Sequence, residues 1–178
     1  MILAVGEKEP RIAPGAFVAT SAVLIGEVTL EDGASVWYQA VLDGGQGPVR
    51  IGPRTNVQDG AVLTGTAETP LTVGAGVSVG HAAILSGCRV EEGALIAIRA
   101  AVLEGARVGA EAIVGAGAVV PPGGGVPPRT LVLGNPATTK RAVTEEEVAE
   151  NRRRVERYAA LAQGYRTATA TAREGSAD

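Results

Sequence analysis

Aliphatic residues recur at every sixth position along most of the chain. The series starts at Ile12, is interrupted at residues 44–49 and 65–72, and reaches Val120. Neither a helical period of 3.6 nor a simple inward–outward alternation accounts for it. A period of six is explained if each six residues form one short strand and a turn, and about three such units make one coil of a solenoid. Each aliphatic side chain then points inward and stacks on the one in the coil below.

An ordinary β-sandwich is the alternative to a solenoid, but its turns would be spaced by about 8–12 residues. The residues of the series are Ile12, Val18, Leu24, Leu30, Val36, Leu42, Ile51, Val57, Leu63, Val73, Val79, Leu85, Val90, Ile96, Val102, Val108, Val114 and Val120. The sequence therefore predicts a mainly β fold, in which a parallel β-helix over residues 12–126 follows a lead-in over residues 1–11.

A connecting segment over residues 127–143 and an α-helix over residues 144–166 are predicted to follow the solenoid. Thr144 and Glu147 have the spacing of a capping box at a helix start. An apolar stripe at helical spacing predicts packing against the solenoid, and it consists of Val148, Val155, Ala159, Ala162 and Tyr165. The arginine run at 152–154 lies mostly off this stripe and is interpreted as a solvated surface. The Ala- and Thr-rich tail over residues 167–178 is predicted to be disordered.

Composition narrows the functional classes. Apolar residues make up 46% of the chain but aromatic residues only 3%, so the core must be built from aliphatic side chains. The net charge of −3 and the lack of a long basic run argue against nucleic acid as a partner. A single cysteine, Cys88, excludes an intrachain disulfide. With no secretory signal and no apolar run long enough to span a bilayer, we expect no membrane association and a cytoplasmic location.

Several segments resemble the γ-class carbonic anhydrases, and together they extend over roughly residues 10–166. They are residues 26–30 (GEVTL), 35–42 (SVWYQAVL), 50–60 (RIGPRTNVQDG) and 79–88 (VGHAAILSGC), together with the C-terminal helix around Tyr158 and residues 161–163. The resemblance implies a left-handed β-helix and a homotrimer with active sites between subunits. It also implies a zinc ion held by three histidines, two from one subunit and one from its neighbour.

The zinc-binding pattern of that family is incomplete in this chain. Thr64 and Ser86 stand where the family has histidines, and residues 43–45 read Asp-Gly-Gly where it has Arg-Gly-Asp. Only His81 is retained. Catalytic zinc needs about three good donors and an open position for water, and a neutral hydroxyl is a weak ligand. We therefore predict no zinc or other cofactor, and the loss of zinc-dependent CO2 hydration.

The repeat places the polar residues of these segments in two columns along the solenoid. Asp43, Thr64 and Ser86 each follow an inward leucine by one position and form the first column, and Tyr38, Asp59 and His81 each follow an inward valine by two positions and form the second. The resemblance implies that His81 faces Thr64 and Ser86 of a neighbouring subunit.

His81 has two interpretations, a metal-free general acid or base and an inherited interface residue bonded to Thr64, Ser86 or Gln58 of a neighbour. Arg99 lies beside the second column and is a candidate for binding an anionic ligand. Its alternative is a structural ion pair with Asp43 or Asp59.

The remaining candidate binding residues are Asn56, Gln58, Asp59 and Tyr38. The first three are interpreted mainly as turn and trimer contacts, and Tyr38, like Trp37, as interface packing.

Three functions remain open from the sequence. The first is a metal-free enzyme that acts on a small anionic organic molecule at the subunit interface, with His81 as acid or base. The second is a non-catalytic trimeric scaffold. The third is an acyl-CoA-dependent hexapeptide acyltransferase, because residues 134–137 (GNPA) also occur in that class and many of its members use a single catalytic histidine.

Overall fold

Short strands separated by tight turns follow the six-residue period of the sequence. A computed structural model describes residues 1–174, with side chains as far as Arg166. The strands are β1 Ile2–Leu3, β2 Arg11–Ile12, β3 Phe17–Val18, β4 Val23–Leu30, β5 Ser35–Val36, β6 Val41–Ile51, β7 Asn56–Val57, β8 Val62–Thr64, β9 Leu71–Val73, β10 Ser78–Val79, β11 Ile84–Ser86, β12 Arg89–Val90, β13 Leu95–Ile96, β14 Ala101–Val102, β15 Arg107–Val108, β16 Ile113–Val114, β17 Val119–Val120, β18 Gly125–Val126, β19 Thr130–Leu133 and β20 Thr138–Ala142. A C-terminal helix, α1, spans Glu145–Glu174.

The strands stack in parallel to form a β-solenoid of about seven turns, which confirms the predicted fold class. They form three ladders. The first ladder contains β1, β8, β11, β14 and β17 with the first halves of β4 and β6. The second contains β2, β9, β12, β15 and β18 with the second halves of β4 and β6. The third contains β3, β5, β7, β10, β13, β16 and β19, with β20 antiparallel to β19.

The core is a triple column of aliphatic side chains, one from each ladder. Leu42, Leu63 and Leu85 of the first ladder stack in register and are fully buried. Val57 and Val79 do the same in the third ladder. Burial of such a side chain stabilises the fold by roughly 1.5–3 kcal/mol, so the spacing of six is fixed by the need to keep every aliphatic residue inside.

The outward positions of the three ladders differ in chemistry. In the first ladder the outward positions just before the buried aliphatic column are apolar, namely Val41, Val62, Ile84, Ala101 and Val119, and Ile84 is 47% exposed. In the second ladder they are mostly polar, namely Arg11, Thr29, Arg50, Thr72, Arg89 and Arg107. In the third ladder α1 covers the outer side and contacts β3, β5, β7 and β10. One apolar face is therefore left uncovered within the protomer.

The helix begins as its capping signal predicts. The Glu147 amide donates to Thr144 Oγ1 at 3.2 Å and the Thr144 amide donates to Glu147 Oε2 at 2.9 Å, which is a capping box. Val148, Val155 and Ala162 of the predicted stripe are buried against the solenoid. No helix in the described part of the chain combines the length and apolarity needed to cross a membrane.

Two boundaries differ from the sequence-based expectation. The segment over residues 127–143 is not a plain connection, because β19 continues the third ladder and β20 pairs back on it. The helix runs past residue 166 to Glu174, through a segment in which alanine, the strongest helix former, alternates with threonine. Residues 175–178 of the predicted tail lie outside the described residues.

All five Phe, Trp and Tyr residues of the chain gather where α1 crosses the third ladder. The Trp37 ring lies 5.1 Å from Phe17, 5.3 Å from Tyr158 and 5.4 Å from Tyr165, measured between ring centroids. Tyr38 contacts Tyr165 at 6.0 Å. Because aromatic pairs at such distances add about 0.5–1.5 kcal/mol each, this cluster holds the helix in one position on an otherwise aliphatic solenoid. The interpretation of Trp37 and Tyr38 as packing residues therefore extends to contacts within the protomer.

Candidate functional site

His81 lies at the corner where the chain passes from the third ladder to the first. Val36, Val57 and Val79 pair in register, so Tyr38, Asp59 and His81, each two residues later, lie one above another. Backbone bonds support this stacking, since Gly60 N donates to the Tyr38 carbonyl and Ala82 N to the Asp59 carbonyl, both at 2.9 Å. The predicted second column is thus present in the fold.

The His81 side chain contacts Asp59. His81 Nδ1 lies 2.9 Å from Asp59 Oδ2, with the two side chains 43% and 47% exposed. The other carboxylate oxygen, Asp59 Oδ1, accepts a hydrogen bond from the Tyr38 amide at 3.1 Å. A carboxylate accepts hydrogen bonds, so Nδ1 carries the proton in the neutral ring and Nε2 keeps its lone pair. Asp59 therefore fixes both the tautomer and the orientation of the imidazole.

Tyr158 of α1 lies on the other side of the ring. Its hydroxyl is 3.5 Å from His81 Nε2, and its ring packs edge-on against Trp37. Burial raises the pKa of Tyr158, and the Asp59 charge raises it further, whereas Arg157 and Arg154 oppose the shift. The phenol therefore stays protonated at neutral pH and can donate toward Nε2.

A cleft of about 370 Å³ opens between the helix and this corner, within the range of about 300–1,000 Å³ typical of small-molecule sites. Its lining residues are Gln58, Gly80, His81, Leu95, Ala97, Ile98, Ala116, Arg154, Arg157, Tyr158 and Leu161. One wall thus carries the imidazole and an amide, the helix contributes two guanidinium groups and a phenol, and the rest is apolar.

Gln58 is held in the cleft wall by a chain of buried polar groups. Gln58 Nε2 donates to Asn56 Oδ1 at 2.9 Å, and Asn56 Nδ2 donates to Ser78 Oγ at 3.1 Å. Gln58 and Asn56 are 4% and 1% exposed. Buried polar groups must be paired, so this network fixes the Gln58 amide beside His81, while Asn56 is a supporting residue that does not line the cleft.

The first predicted column, Asp43, Thr64 and Ser86, is also formed, but on the outer side of the first ladder. Asp43 pairs with Thr64 and Thr64 with Ser86 in register. Thr64 Oγ1 donates to Ser86 Oγ at 3.2 Å, and Asp43 Oδ1 accepts from the Gly45 amide at 2.8 Å. None of the three lines the cleft.

The donor set of this chain does not fit a catalytic zinc ion. The two positions beside the family's metal carry hydroxyl groups that bond to each other, and neutral hydroxyls are poor zinc ligands. Cys88 is 2% exposed and packs within the hydrophobic core, and burial raises the pKa of its thiol to about 12, so its sulfur does not face these positions. Among the side chains that the structure describes, no three from His, Cys, Asp or Glu gather at one metal-binding position.

Arg99 lies beside the second column, but its side chain does not reach the cleft. Its amide donates to the His81 carbonyl at 2.9 Å, so it does lie beside the second column. Its φ of 57° belongs to the left-handed region, and the side chain is exposed and does not line the cleft. The expected ion pair is wrong within the protomer, because Asp59 contacts His81 and Asp43 bonds to Gly45.

Arg154, Arg157 and Tyr158 were not predicted as site residues. The interpretation of the run at 152–154 as solvated surface is wrong for Arg154, which is half-buried and lines the cleft. The spacing of Arg154, Tyr158 and Leu161 places them on one helix face, which is a signal in the sequence. Only the rotation of the helix on the solenoid shows that this face borders His81.

Comparison with known proteins agrees with this architecture. No protein-family model matches the chain. A carbonic anhydrase of Geobacillus kaustophilus is 42% identical over 159 residues, covering 89% of this chain and 87% of that protein.

Two further similar proteins carry other names. The carnitine operon protein CaiE of Salmonella agona is 35% identical, over 89% of this chain and 80% of its own. The BC4754 gene product of Bacillus cereus, whose name proposes an acetyltransferase, has a solved structure with a TM-score of 0.92 and 36% identity, covering 94% of this chain and 97% of its own. The chain therefore belongs to the γ-carbonic-anhydrase-like family of hexapeptide-repeat proteins.

Proposed function

We propose that this family member is a metal-independent enzyme that transfers protons to or from a small anionic organic molecule, and that it has lost zinc-dependent CO2 hydration. The observation that carries the proposal is the 2.9 Å contact between His81 Nδ1 and Asp59 Oδ2. It leaves Nε2 available at a cleft that also contains Tyr158.

The chemistry follows from these positions. Nε2 of neutral His81 accepts a proton from the bound molecule and the ring becomes an imidazolium. Asp59, which faces Nδ1, stabilises that charge and keeps the ring oriented, as a carboxylate does behind a catalytic histidine in other enzymes. The Tyr158 hydroxyl can donate a proton to the developing anion, and the proton on His81 Nε2 then passes to the Tyr158 oxygen, which restores both groups. Such general acid–base catalysis contributes typically 10²–10⁴-fold.

The outer side of the first ladder supports a homotrimer as the working form. Val62 and Ile84 are 37% and 47% exposed there, in a continuous strip of the kind that marks protein interfaces. Thr64 and Ser86 lie on the same outer side, and the cleft lies at the corner beside it. A trimer formed through this face brings its neighbour close to the cleft, which is where the family resemblance expects an active site.

The test is a proton-exchange assay on chelator-treated protein. Small carboxylates with an acidic α-hydrogen are incubated in D2O, and loss of the α-proton signal is followed by NMR. We expect exchange with at least one class, lowered about 100-fold or more in His81→Asn and about tenfold or more in Asp59→Asn. The matched control, Asp32→Asn, changes an exposed corner aspartate and retains the wild-type rate.

Exchange that survives His81→Asn, or that appears only when zinc is added, contradicts the proposal. Absence of exchange across the whole set favours the non-catalytic scaffold, for which the uncovered apolar ladder is the supporting observation. An acyl-CoA-dependent transferase is a further candidate, favoured by the similarity to the Bacillus cereus protein. Calorimetric detection of acetyl-CoA binding distinguishes it from both.

A further inference from the structure

We infer that Arg154 and Arg157 form a carboxylate-binding subsite of the cleft, and that the ligand it takes is a short-chain aliphatic carboxylate. The subsite itself is argued from contacts in the protomer. Its role in presenting a substrate to His81 rests on the proposed function.

Four arginines in the first half of α1 divide into two pairs by their partners. Arg152 and Arg153, which do not line the cleft, are bonded to carboxylates. Arg152 Nη2 lies 2.7 Å from Glu111 Oε1, and Arg153 Nη2 lies 2.8 Å from Glu150 Oε2. Arg154 and Arg157 line the cleft, and among the described residues neither has an ion pair with a carboxylate. Arg152 and Arg153 thus have direct carboxylate partners. Within the described part of the chain Arg154 and Arg157 have no direct ion pair, and the charge of Glu150 acts on them from outside the cleft.

Arg154 is also positioned by its surroundings. Its Nη1 donates to Asn151 Oδ1 at 3.2 Å. Asn151 is itself fixed, since it is 4% exposed and its side-chain amide donates to the Gly93 carbonyl at 2.9 Å. One end of the guanidinium is therefore held on the protein, and the remaining donors stay free. A guanidinium binds a carboxylate through two parallel hydrogen bonds. The free donors of Arg154 therefore favour a carboxylate over a spherical anion such as chloride.

The two positive charges lie close to the proposed acid–base groups. Both guanidinium groups line the same cleft as Tyr158 and His81, and their charges partly oppose the rise of the Tyr158 pKa. Two carboxylates lie near them: Asp59, which is engaged by His81 Nδ1 and the Tyr38 amide, and Glu150, which is bonded to Arg153 outside the cleft. A carboxylate bound by the arginines therefore lies near Tyr158 and His81 without facing a free acidic side chain among the residues that line the cleft.

The rest of the cleft sets the chemical class of the ligand. Leu95, Ala97, Ile98 and Leu161 form apolar walls, and the 51% exposure of Ile98 and 44% exposure of Leu161 leave apolar surface available to a ligand. The volume of about 370 Å³ is at the small end of the usual range for ligand sites. A carboxylate with an aliphatic chain of a few carbons matches the positive charge of the arginines, the apolar walls and the volume of the cleft.

Because the chain contains a single histidine, His81 gives one imidazole signal in a proton NMR spectrum and reports directly on the cleft. Sodium butyrate is titrated into the full-length protein at constant pH, with sodium chloride of equal ionic strength as the reference. We expect a saturable shift of the His81 Hε1 signal with butyrate and none with chloride. In the double variant R154Q/R157Q the butyrate affinity falls about tenfold or more, equivalent to about 1.4 kcal/mol.

The matched control is Arg152→Gln, which changes a neighbouring arginine that lies outside the cleft and pairs with Glu111, and it leaves the affinity unchanged. Arg157→Gln alone is the second variant, because Arg157 is exposed and its replacement should leave the fold intact. Unaltered affinity in both cleft variants, an equal loss in Arg152→Gln, or a non-saturating shift in the wild type overturns the proposal. So does a change in subunit number by light scattering in R154Q/R157Q, because the arginines would then pair with a second copy of the chain.

The subsite and the acid–base function fail in different ways. If butyrate binding depends on Arg154 and Arg157 but no proton exchange is found, the catalytic proposal fails and the subsite stands. If His81-dependent exchange is found and is insensitive to R154Q/R157Q, the subsite is wrong and the catalytic proposal stands.

Discussion

The chemical role of His81 depends on the partners of its two ring nitrogens. Nδ1 lies 2.9 Å from Asp59 Oδ2, and the Tyr38 amide donates a hydrogen bond to the other oxygen of that carboxylate. With hydroxyls at positions 64 and 86, the chain lacks the ligands that would commit Nε2 to a metal. Under the proposed function, the imidazole that the family resemblance implies as a zinc ligand acts here as a base. A residue can keep its place in a fold while its neighbours change its chemistry.

Arg99, unlike His81, has a strained backbone and a side chain that does not line the cleft. Its φ is 57°, in the left-handed region, which costs a non-glycine residue roughly 1–2 kcal/mol. We expect Arg99→Gly to stabilise the fold or leave it unchanged, since strain relief offsets the added freedom of the unfolded chain. The control Arg107→Gly, at an exposed strand position, should be destabilised by about 0.5–1 kcal/mol. Urea unfolding measures both, and a larger loss in Arg99→Gly would mean that its side chain makes a stabilising contact.

The sequence predicted one part of the site well and another part poorly, for physical reasons. The stacking of Tyr38, Asp59 and His81 follows from the period of six, because a parallel solenoid keeps residues of equal phase in one column. The Asp59–His81 contact was not predicted, because column geometry does not give side-chain rotamers. Arg154 and Tyr158 were missed because the rotation of α1 on the third ladder depends on packing between distant segments.

At the scale of elements, α1 is fixed by its first turn and by the aromatic cluster. Arg141 donates to both carboxylate oxygens of Glu147 at 2.8 Å, and the Thr144 amide donates to the same group. These bonds lower the pKa of Glu147 from its ordinary value of 4.5 to about 2, with Arg141 as the main cause. The start of the helix therefore depends on an ionised carboxylate.

Protonation of Glu147 should lower the stability of the helix start in a defined pH range. The folded pKa of Glu147 is depressed, so its contribution to stability is complete above pH 4.5 and is lost as the pH falls toward about 2. In Glu147→Gln we expect the free energy of unfolding to depend less steeply on pH between these values. Trp37, the single tryptophan, contacts Tyr158 and Tyr165 of the helix, so its fluorescence follows unfolding.

Glu146→Gln is the control for the acid experiment, since it removes a neighbouring charge from the first turn and leaves the Arg141 pair in place. It should keep the wild-type pH dependence. Equal slopes for wild type and Glu147→Gln between pH 4.5 and 2 would contradict the assigned role of the carboxylate.

At the scale of the whole molecule, the three ladders have three different surroundings. The third is covered by α1, the second presents mostly polar side chains to solvent, and the first presents an apolar strip with nothing over it in the protomer. A second copy of the chain is the simplest cover for that strip, and it agrees with the trimer that the family resemblance implies. The cleft beside His81 lies at the edge of this face, so assembly and chemistry are expected to be coupled.

Replacement of Ile84 by Glu tests the assembly. The Ile84 side chain points outward and is 47% exposed, so the variant should fold normally. A charge buried without a partner in an interface costs several kcal/mol, roughly 2–5, and we expect the trimer to dissociate at micromolar concentration. Thr72→Glu, at an outward position of the second ladder, should remain trimeric. Light scattering after gel filtration measures both, and a trimeric Ile84→Glu variant would exclude the first ladder as the interface.

The central claim is that His81 acts without a metal at a position where the family resemblance implies a zinc ligand. The most direct measurement is the nitrogen-15 NMR spectrum of the His81 ring in chelator-treated protein, before and after one equivalent of zinc is added. The account predicts the same ring shifts in both spectra, a proton on Nδ1, and no zinc retained after dialysis. A ring shift characteristic of a metal-bound nitrogen, together with stoichiometric retained zinc and rapid CO2 hydration, would contradict it.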